Sequence, residues 1–402
     1  MASFMDAGAE VRLNRYFERI GAVLGNKKRR ESFAIYALGL FGDGERKSIE
    51  PIAARACADP QGTDAAHQRL LHFATDSPWS DRGVRREAAR YALDAMTERE
   101  PVEAWIVDDT GFIKQGSHSV GVQRQYTGSA GKITDCQLGV SLSVTTRTEH
   151  LPIDFELYLP HCWADDPKRR VEARIPEDLL FKTKPSLALD MIRRACASGV
   201  PKGVLLGDTA YGNSSEFRKE VRSLELQYAV GVEPQTNVIL VDRKSRPRGE
   251  PINVRDLAFT IHDRGGFRHC SWRKGTKKDL AARFALRRVV TSHDGPDLQW
   301  LLIEWRDNEA EPANYFLSTL PERMTKRQLI RIVMQRWRTE RVYEDLKGEL
   351  GLDHFEGRRF PGWHHHVSVA LCCYAFVIAE RVRRFSPSTG RPVGDGSQPV
   401  AA

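Results

Sequence analysis

The sequence lacks several patterns that mark whole classes of protein. It has no run of about 18 apolar residues, so we expect no membrane span and no membrane partner. Its seven cysteines are scattered and form no C-x-x-C pair, which argues against a zinc ribbon or a disulfide framework. The opening stretch MASFMDAGAEVRLNRYFERI holds acidic side chains and no apolar signal core, so no secretory peptide is expected. Together these absences predict a protein of the reducing cytoplasm.

Basic residues, by contrast, are in excess. The net charge is +8 and the pI is about 9.1. Positive charge favours a polyanionic partner, although any one basic cluster fits a solvated surface equally well. The clusters are NKKRR (26–30), DRGVRREAAR (81–90), DRKSRPR (242–248) and RVRRF (381–385).

The 402 residues suffice for two or three domains, and the first segment, 1–98, is predicted to be helical. Stretches such as VRLNRYFERIGAVL and VRREAARYALDAM have apolar residues at helical spacing. Ser48 is a plausible N-cap for the helix of SIEPIAARACA. Short basic helices suit a DNA-binding domain, which we predict here, and equally suit a structural cap.

The segment 99–232 changes to a strand-rich pattern. The apolar run of EAWIVDDTGF ends in Asp108 and Asp109, and that of GVLLGDTAYG ends in Asp208. The predicted order is β-β-β-α-β-α-β, with an antiparallel hairpin before the crossover helices, which indicates a mixed α/β sheet flanked by helices. In such a sheet the first and fourth strands can be neighbours, with their acids at one edge.

The rest of the chain divides into three predicted segments. Residues 233–322 carry several short strand-like runs and are interpreted as a β-rich insertion. Residues 323–385 contain the helix of RWRTERVYEDLKGEL and a long closing helix, and 386–402 form a Pro-, Gly- and Ser-containing tail predicted to be disordered. In RWRTERVYEDLKGEL, helical spacing sets Arg336, Glu340 and Lys347 on one face.

Asp108, Asp208 and Glu340 stand out by position. A helix packed on the sheet could bring Glu340 to the edge where the two aspartates meet. Carboxylate oxygens are ligands that Mg²⁺ prefers, and two such ions about 4 Å apart assist phosphodiester cleavage. Each acid taken singly fits a structural role, because strand-end aspartates often cap the next turn.

The neighbours of these acids carry a family resemblance. VDDTGFIKQGSHSVGVQRQYTGSAGKITDCQLGVSL, LLGDTAYG and RWRTERVYEDLKGELGLDHFEGRRFPGWHHH resemble the DDE transposases of bacterial insertion sequences, over about residues 35–380. The subgroup is that of insertion sequence 701, beside the larger insertion-sequence-4 group. The resemblance implies a ribonuclease-H-like core with a β-rich insertion, Mg²⁺-dependent DNA cleavage and strand transfer.

The resemblance also implies residue roles. Asp108, Asp208 and Glu340 match the three catalytic, metal-binding acids, with Asp109 as the alternative to Asp108. The larger group has a Y-x₂-R-x₃-E-x₆-K signature, in which Arg336 and Lys347 match and Val333 stands where tyrosine is expected. On this reading Arg336 and Lys347 bind the DNA phosphates beside the metal ions. The implied cofactor is two Mg²⁺ ions, for which Mn²⁺ can substitute.

Weaker candidates surround the acids. Lys114, His118, Arg124 and Lys132 could bind DNA phosphates, or their glycine-rich stretch could only shape a loop. Tyr211 fits a packed tyrosine better than a site residue, and Trp272, Trp300 and Trp305 fit core packing, with Trp272 a candidate for base stacking. The run His364, His365, His366 is not expected to form one metal site, because consecutive helical positions point in different directions.

The predicted function is a transposase that cuts and joins DNA at the terminal inverted repeats of its own element. We expect a homodimer on double-stranded DNA, in the bacterial cytoplasm at the nucleoid. Two alternatives stay open: a transposase-derived DNA-binding protein without cleavage activity, and a host nuclease of the ribonuclease-H-like type.

Overall fold

The computed structural model describes residues 7–273, 280–291, 294 and 297–384. Across those ranges the chain forms fourteen α-helices and a mixed sheet of twelve strands. The predicted α/β class is therefore confirmed, and the arrangement is consistent with a ribonuclease-H-like core. The predicted disordered tail, 386–402, lies outside the described residues.

The N-terminal region is helical, as predicted. Asn26 and Ser80 cap two of its helices, because each side chain accepts a hydrogen bond from a backbone N–H of the first turn. Ser48 does precede a helix, but its side chain makes no capping bond. The helices are α1 (Ala7–Leu24), α2 (Lys27–Phe41), α3 (Ile49–Ala56), α4 (Thr63–Thr75) and α5 (Asp81–Thr97).

The first half of the sheet has the predicted neighbours. The strands are β1 (Ala104–Ile113), β2 (Gln123–Thr127), β3 (Lys132–Thr145), β4 (His150–Tyr158), β5 (Val204–Gly207) and β6 (Tyr228–Val232). β3 and β4 form the expected antiparallel hairpin, and β1 lies parallel to β5. β2 was not predicted; it pairs with β3 at the edge of the sheet.

The segment predicted as an insertion holds strands that continue the same sheet. β12 pairs antiparallel with β6, with Phe316 opposite Gly231. One helix interrupts the strands and was not predicted from the sequence. The elements are β7 (Asn237–Leu240), β8 (Ile252–Asn253), α11 (Val254–Asp263), β9 (Arg268–Arg273), β10 (Leu280–Val290), β11 (Gln299–Trp305) and β12 (Asn314–Ser318).

Short helices link the strands, and a long helix closes the fold. They are α6 (His161–Ala164), α7 (Pro167–Ala173), α8 (Lys184–Ala197), α9 (Thr209–Gly212), α10 (Ser215–Ser223), α12 (Lys326–Val333), α13 (Trp337–Leu350) and α14 (Phe360–Arg384). Among the described helices, α14 alone has the length and apolar composition to cross a membrane, but 83% of its most apolar window is buried inside the protein. It is the core helix of this fold.

The N-terminal helices pack around α14. Tyr16 of α1 donates a hydrogen bond to the carbonyl of Cys372 at 2.9 Å, and Tyr36 of α2 bonds Nδ1 of His366 at 2.7 Å. One hydrophobic cluster extends from these helices through α14 to the inner face of the sheet. The N-terminal helices and the strand-rich region therefore share a core.

Candidate active site

Asp108 and Asp208 lie on and after adjacent strands of the sheet. Asp208 directly follows β5, as predicted, but Asp108 does not end its strand, because β1 stays paired with β3 as far as Ile113. β1 and β5 run parallel, with Ile106 opposite Leu206. The same register, continued for two residues, sets Asp108 beside Asp208. Asp208 also caps α9, because its side chain accepts a hydrogen bond from the N–H of Ala210 at 2.9 Å. Asp208 therefore caps a helix, as expected of a strand-end acid, and is also a candidate site residue.

Asp108 and Asp109 point to opposite faces of the sheet, since side chains alternate along a strand. Asp108 is 7% exposed, and its Oδ2 accepts a hydrogen bond from Arg336, directly before α13, at 2.9 Å. Asp109 accepts one from Nζ of Lys184, the first residue of α8, at 2.7 Å. Of the two, Asp108 is the acid that faces the helix of Glu340.

Helix α13 is fixed on the sheet through its apolar face. The hydroxyl of Tyr343 hydrogen-bonds that of Ser141, the register partner of Asp108 on β3, at 2.6 Å. Glu340, in the first turn, is exposed. Its side chain, Arg336 and Asp208 line one cavity of about 1180 Å³. The buried residues of α13 are Thr339, Val342, Tyr343, Leu346 and Leu350.

Negative charge exceeds positive charge at this edge of the sheet. Burial raises the pKa of Asp108 to about 7; the guanidinium of Arg336 opposes that rise, and the neighbouring Asp208 adds to it. Burial also raises the pKa of Asp208. Burial works against the charge of Arg336, but Asp108, Asp208 and Glu340 together hold its pKa above the ordinary value. Arg336 is thus the cation that the carboxylates now share.

The donor set fits a magnesium site in its chemistry. Adjacent carboxylates whose pKa values are raised by burial favour a divalent cation as their counter-charge. Within the described ranges, however, no group of three His, Cys, Asp or Glu side chains is close enough to hold a metal ion. The metal-binding role of Asp108, Asp208 and Glu340 therefore stays a prediction, and of the three Asp208 and Glu340 line the same cavity.

The raised pKa of Asp108 predicts a pH-dependent stability. Because the folded pKa, about 7, exceeds the unfolded value near 4, the contribution of Asp108 is fully present below about pH 4 and is lost as the pH rises through 7. In chelator, we expect Asp108→Asn to be as stable as wild type near pH 4 and more stable by on the order of 1–4 kcal/mol at pH 8. Urea unfolding from pH 4 to 8 measures this; a difference that does not change with pH would contradict it.

Lys347 lies on the predicted face of α13, but its ammonium group binds the protein. Nζ donates hydrogen bonds to Oγ1 of Thr110 at 2.9 Å, to the carbonyl of Gly111 at 2.7 Å and to Oγ of Ser129 at 3.1 Å. Burial lowers its pKa. Lys347 therefore joins α13 to β1 and to the turn between β2 and β3.

The other predicted DNA-binding residues divide into two kinds. Nζ of Lys114 donates to the carbonyl of Phe355 at 2.6 Å, and burial lowers its pKa. His118, Arg124 and Lys132 are exposed. Only the exposed group can meet a phosphate without rearrangement, and the DNA-binding role of these four residues, Arg336 and Lys347 stays a prediction.

The remaining candidates have structural surroundings. Tyr211 is fully buried against Phe217, as expected of a packed tyrosine. Trp272 makes an edge contact with Phe284 and also lines the cavity of Glu340. The three consecutive histidines of α14 hydrogen-bond different backbone oxygens, those of Phe360, Ala74 and Gly351 respectively.

Sequence reasoning missed two residues that shape this site. Nζ of Lys184 bonds the carboxylate of Asp109, and the hydroxyl of Tyr343 bonds Ser141 and so fixes α13 to the sheet. Tyr343 follows Glu340 by three positions on the apolar side of the helix, and that spacing is a signal that could have identified it. Lys184 gives no such signal, because its partner lies in a distant strand.

Comparison with known proteins places these residues in context. A family model described as "DDE superfamily endonuclease" matches residues 19–279, a range that includes Asp108 and Asp208 but ends before Glu340. The chain is also similar to a protein of Microchaete diplosiphon described as "Probable transposase for insertion sequence element IS701". The two are 26% identical over 364 residues, which cover 89% of this chain and 84% of the relative.

Proposed function

Because the chain belongs to the DDE superfamily of endonucleases, we propose that it is a transposase that cuts and joins DNA at the terminal inverted repeats of its own insertion sequence. The similarity to the insertion-sequence relative, which extends over most of both chains, supports this choice. The observation that carries it is the pairing of Asp108 with Asp208 beneath the α13 helix of Glu340. DNA is the substrate, and a homodimer would hold the two ends together.

The three acids would hold two Mg²⁺ ions, or Mn²⁺ in their place. Bound there, the ions would supply a water molecule of lowered pKa and neutralise charge on the scissile phosphate. The protein contributes position: β1 and β5 fix Asp108 and Asp208 side by side, and α13 carries Glu340 to the cavity that Asp208 also lines. Arg336 lies 2.9 Å from Asp108. Once a metal ion neutralises that carboxylate, the guanidinium would be released to bind a DNA phosphate.

DNA would approach along exposed positive charge. Arg124 and Lys132 are exposed on the β2–β3 hairpin, whereas Lys114 and Lys347 hold the surrounding loops in place. We expect phosphate contacts from the first pair to make binding salt-dependent. The site of action would be the bacterial nucleoid in the cytoplasm.

The test is cleavage of a labelled duplex that carries the gene's flanking repeat. We expect Mg²⁺-dependent nicking at the repeat boundary, and a loss of about 10³-fold for Glu340→Gln, since metal coordination supplies several kcal/mol in such reactions. Glu340 is exposed, so the variant should fold normally. Glu344→Gln, one turn further along the same helix and also exposed, is the matched control and should retain full activity.

Two results would redirect the assignment. Equal rates for wild type and Glu340→Gln would remove Glu340 from the site. Tight repeat binding without cleavage by wild type, in either Mg²⁺ or Mn²⁺, would favour a DNA-binding protein that has lost the reaction.

A further inference from the structure

An unusual apolar pair lies on the surface of the β2–β3 hairpin. Tyr126 and Ile133 are 64% and 59% exposed. The strand register sets them directly opposite each other, so both side chains project from the same face of the hairpin. Exposed large apolar side chains in contiguous positions are uncommon on soluble proteins and often mark an interaction surface.

The tip of this hairpin is fastened to the candidate active site. Oγ of Ser129 lies 3.2 Å from Oγ1 of Thr110 and 3.1 Å from Nζ of Lys347. Thr127 closes against Gly111 of β1, where an added Cβ would meet its Oγ1 at 1.9 Å. Only glycine therefore permits this approach. Since Thr110 is two residues from Asp108, the hairpin is held next to the first catalytic acid.

The position of the apolar pair favours a nucleic acid as its occupant, because the hairpin that carries it is joined to the candidate active site. Arg124 projects from the same face, where Asp135 is its register partner, and Lys132, opposite Thr127, projects from the other face. Both are exposed, and neither forms an ion pair with any residue that the structure describes. A second copy of the chain, with its net charge of +8, would meet this surface with charge of the same sign. A DNA end offers phosphates for the basic residues and flat bases for the tyrosine ring.

We propose that Tyr126 and Ile133 form a wedge that stacks against DNA bases beside the scissile phosphate; this rests on the proposed function. Aromatic rings stack on bases of any sequence, and branched apolar side chains part base steps in DNA that proteins bend. The contact of the hairpin tip with Thr110 sets the wedge within roughly 25 Å of Asp108, about seven base-pair rises or fewer. The wedge thus acts on the base pairs that flank the cut.

The experiment uses a repeat duplex with 2-aminopurine at successive positions around the cut, bound in Ca²⁺ to hold back cleavage. We expect wild type and Tyr126→Phe to raise the fluorescence at one or two flanking positions, because the base there is unstacked from its neighbours. Tyr126→Ala should lose that rise and bind the duplex roughly 5- to 100-fold more weakly. Val171→Ala, at a 78% exposed apolar position on α7, is the matched control and should match wild type.

Other outcomes would overturn the wedge. Unchanged affinity and fluorescence for Tyr126→Ala would do so, as would a shift of that variant from dimer to monomer in DNA-free sedimentation, which would make the pair a contact between copies. The readouts need no cleavage. Base unstacking by a wild-type protein that never cuts DNA would therefore support the wedge and reject the transposase. Normal cutting by Tyr126→Ala, with the base still fully unstacked, would support the transposase and reject the wedge.

Discussion

Asp108→Asn is expected to reduce DNA cleavage by at least about 10³-fold, whereas Asp109→Asn should stay within about tenfold of wild type. The two substitutions are chemically identical and adjacent in sequence. They differ in direction: Asp108 faces Arg336 and the cavity edge, and Asp109 faces Lys184 on the other side of the sheet. The pair of variants therefore tests which strand face carries the chemistry.

The physical reason is the loss of one negative oxygen. Asparagine keeps the shape of Asp108 but cannot supply a full charge to a divalent ion, and the several kcal/mol that such coordination provides is lost. Loss of Asp109 removes its partly buried ion pair with Lys184, which contributes about 1 kcal/mol or less, and its charge near Asp108 and Asp208, whose pKa values it raises.

Single-turnover nicking of the repeat duplex in Mg²⁺ measures both variants. Misfolding is separable from lost chemistry, because Asp108→Asn is expected to be at least as stable as wild type in chelator. Equal, severe losses for both variants would mean that strand alternation does not distinguish them. A severe loss for Asp109→Asn alone would reverse the assignment of the first acid.

Arg85→Met is expected to lower the free energy of unfolding by about 3–5 kcal/mol. The Arg85 side chain is almost fully buried, and it bonds Oδ1 of Asp154 at 3.0 Å, Oδ2 of Asp81 at 2.8 Å and Oγ of Ser368 at 2.9 Å. These partners lie on β4, α5 and α14. One guanidinium therefore joins the N-terminal helices, the closing helix and the sheet.

The cost arises chiefly from what the substitution leaves behind. Without Arg85, Asp81 and Asp154 stay partly buried with less compensating charge, although Arg194 still bonds Asp154 at 2.7 Å. Arg82→Met is the matched control, since Arg82 is on the same helix and bonds Glu156 at 3.0 Å, but its side chain is 54% exposed. Glu156 is buried but keeps its bond to Arg194 at 2.8 Å, so loss of the solvated Arg82 should cost about 1 kcal/mol or less.

Urea unfolding at neutral pH compares the two variants. A shift in midpoint without a change in slope would report the stability loss directly. Similar small losses for Arg82→Met and Arg85→Met would show that the buried network contributes no more than a surface pair.

The sequence allowed prediction of the features that depend on local pattern. Apolar runs that end in Asp108 and Asp208 predicted two strands, and the order of elements predicted that they are neighbours, as β1 and β5 are. The closing helix was equally evident from its apolar length. The catalytic assignment of the acids themselves is still a prediction, although β1 and β5 bring two of them to one edge.

Features that depend on distant partners were not predictable. β2 is a short edge strand, QRQYT, and its residue types do not alternate between apolar and polar in the way that predicts a strand. The joining of β12 to β6 pairs residues far apart in the chain, so the segment predicted as an insertion gave no sign that it extends the main sheet. Lys114 looked like a surface cation because sequence does not reveal the carbonyl of Phe355 that binds it.

The position of α14 has a consequence for folding on the ribosome. The helices α1, α2, α4 and α5 complete their core only against α14, which is the last described helix to be synthesised. At ordinary translation rates, tens of seconds separate the emergence of α5 from that of α14. The apolar surface of the nascent N-terminal helices therefore stays exposed during that time. In a chain truncated before α14, the same surface would remain accessible to chaperones and proteases.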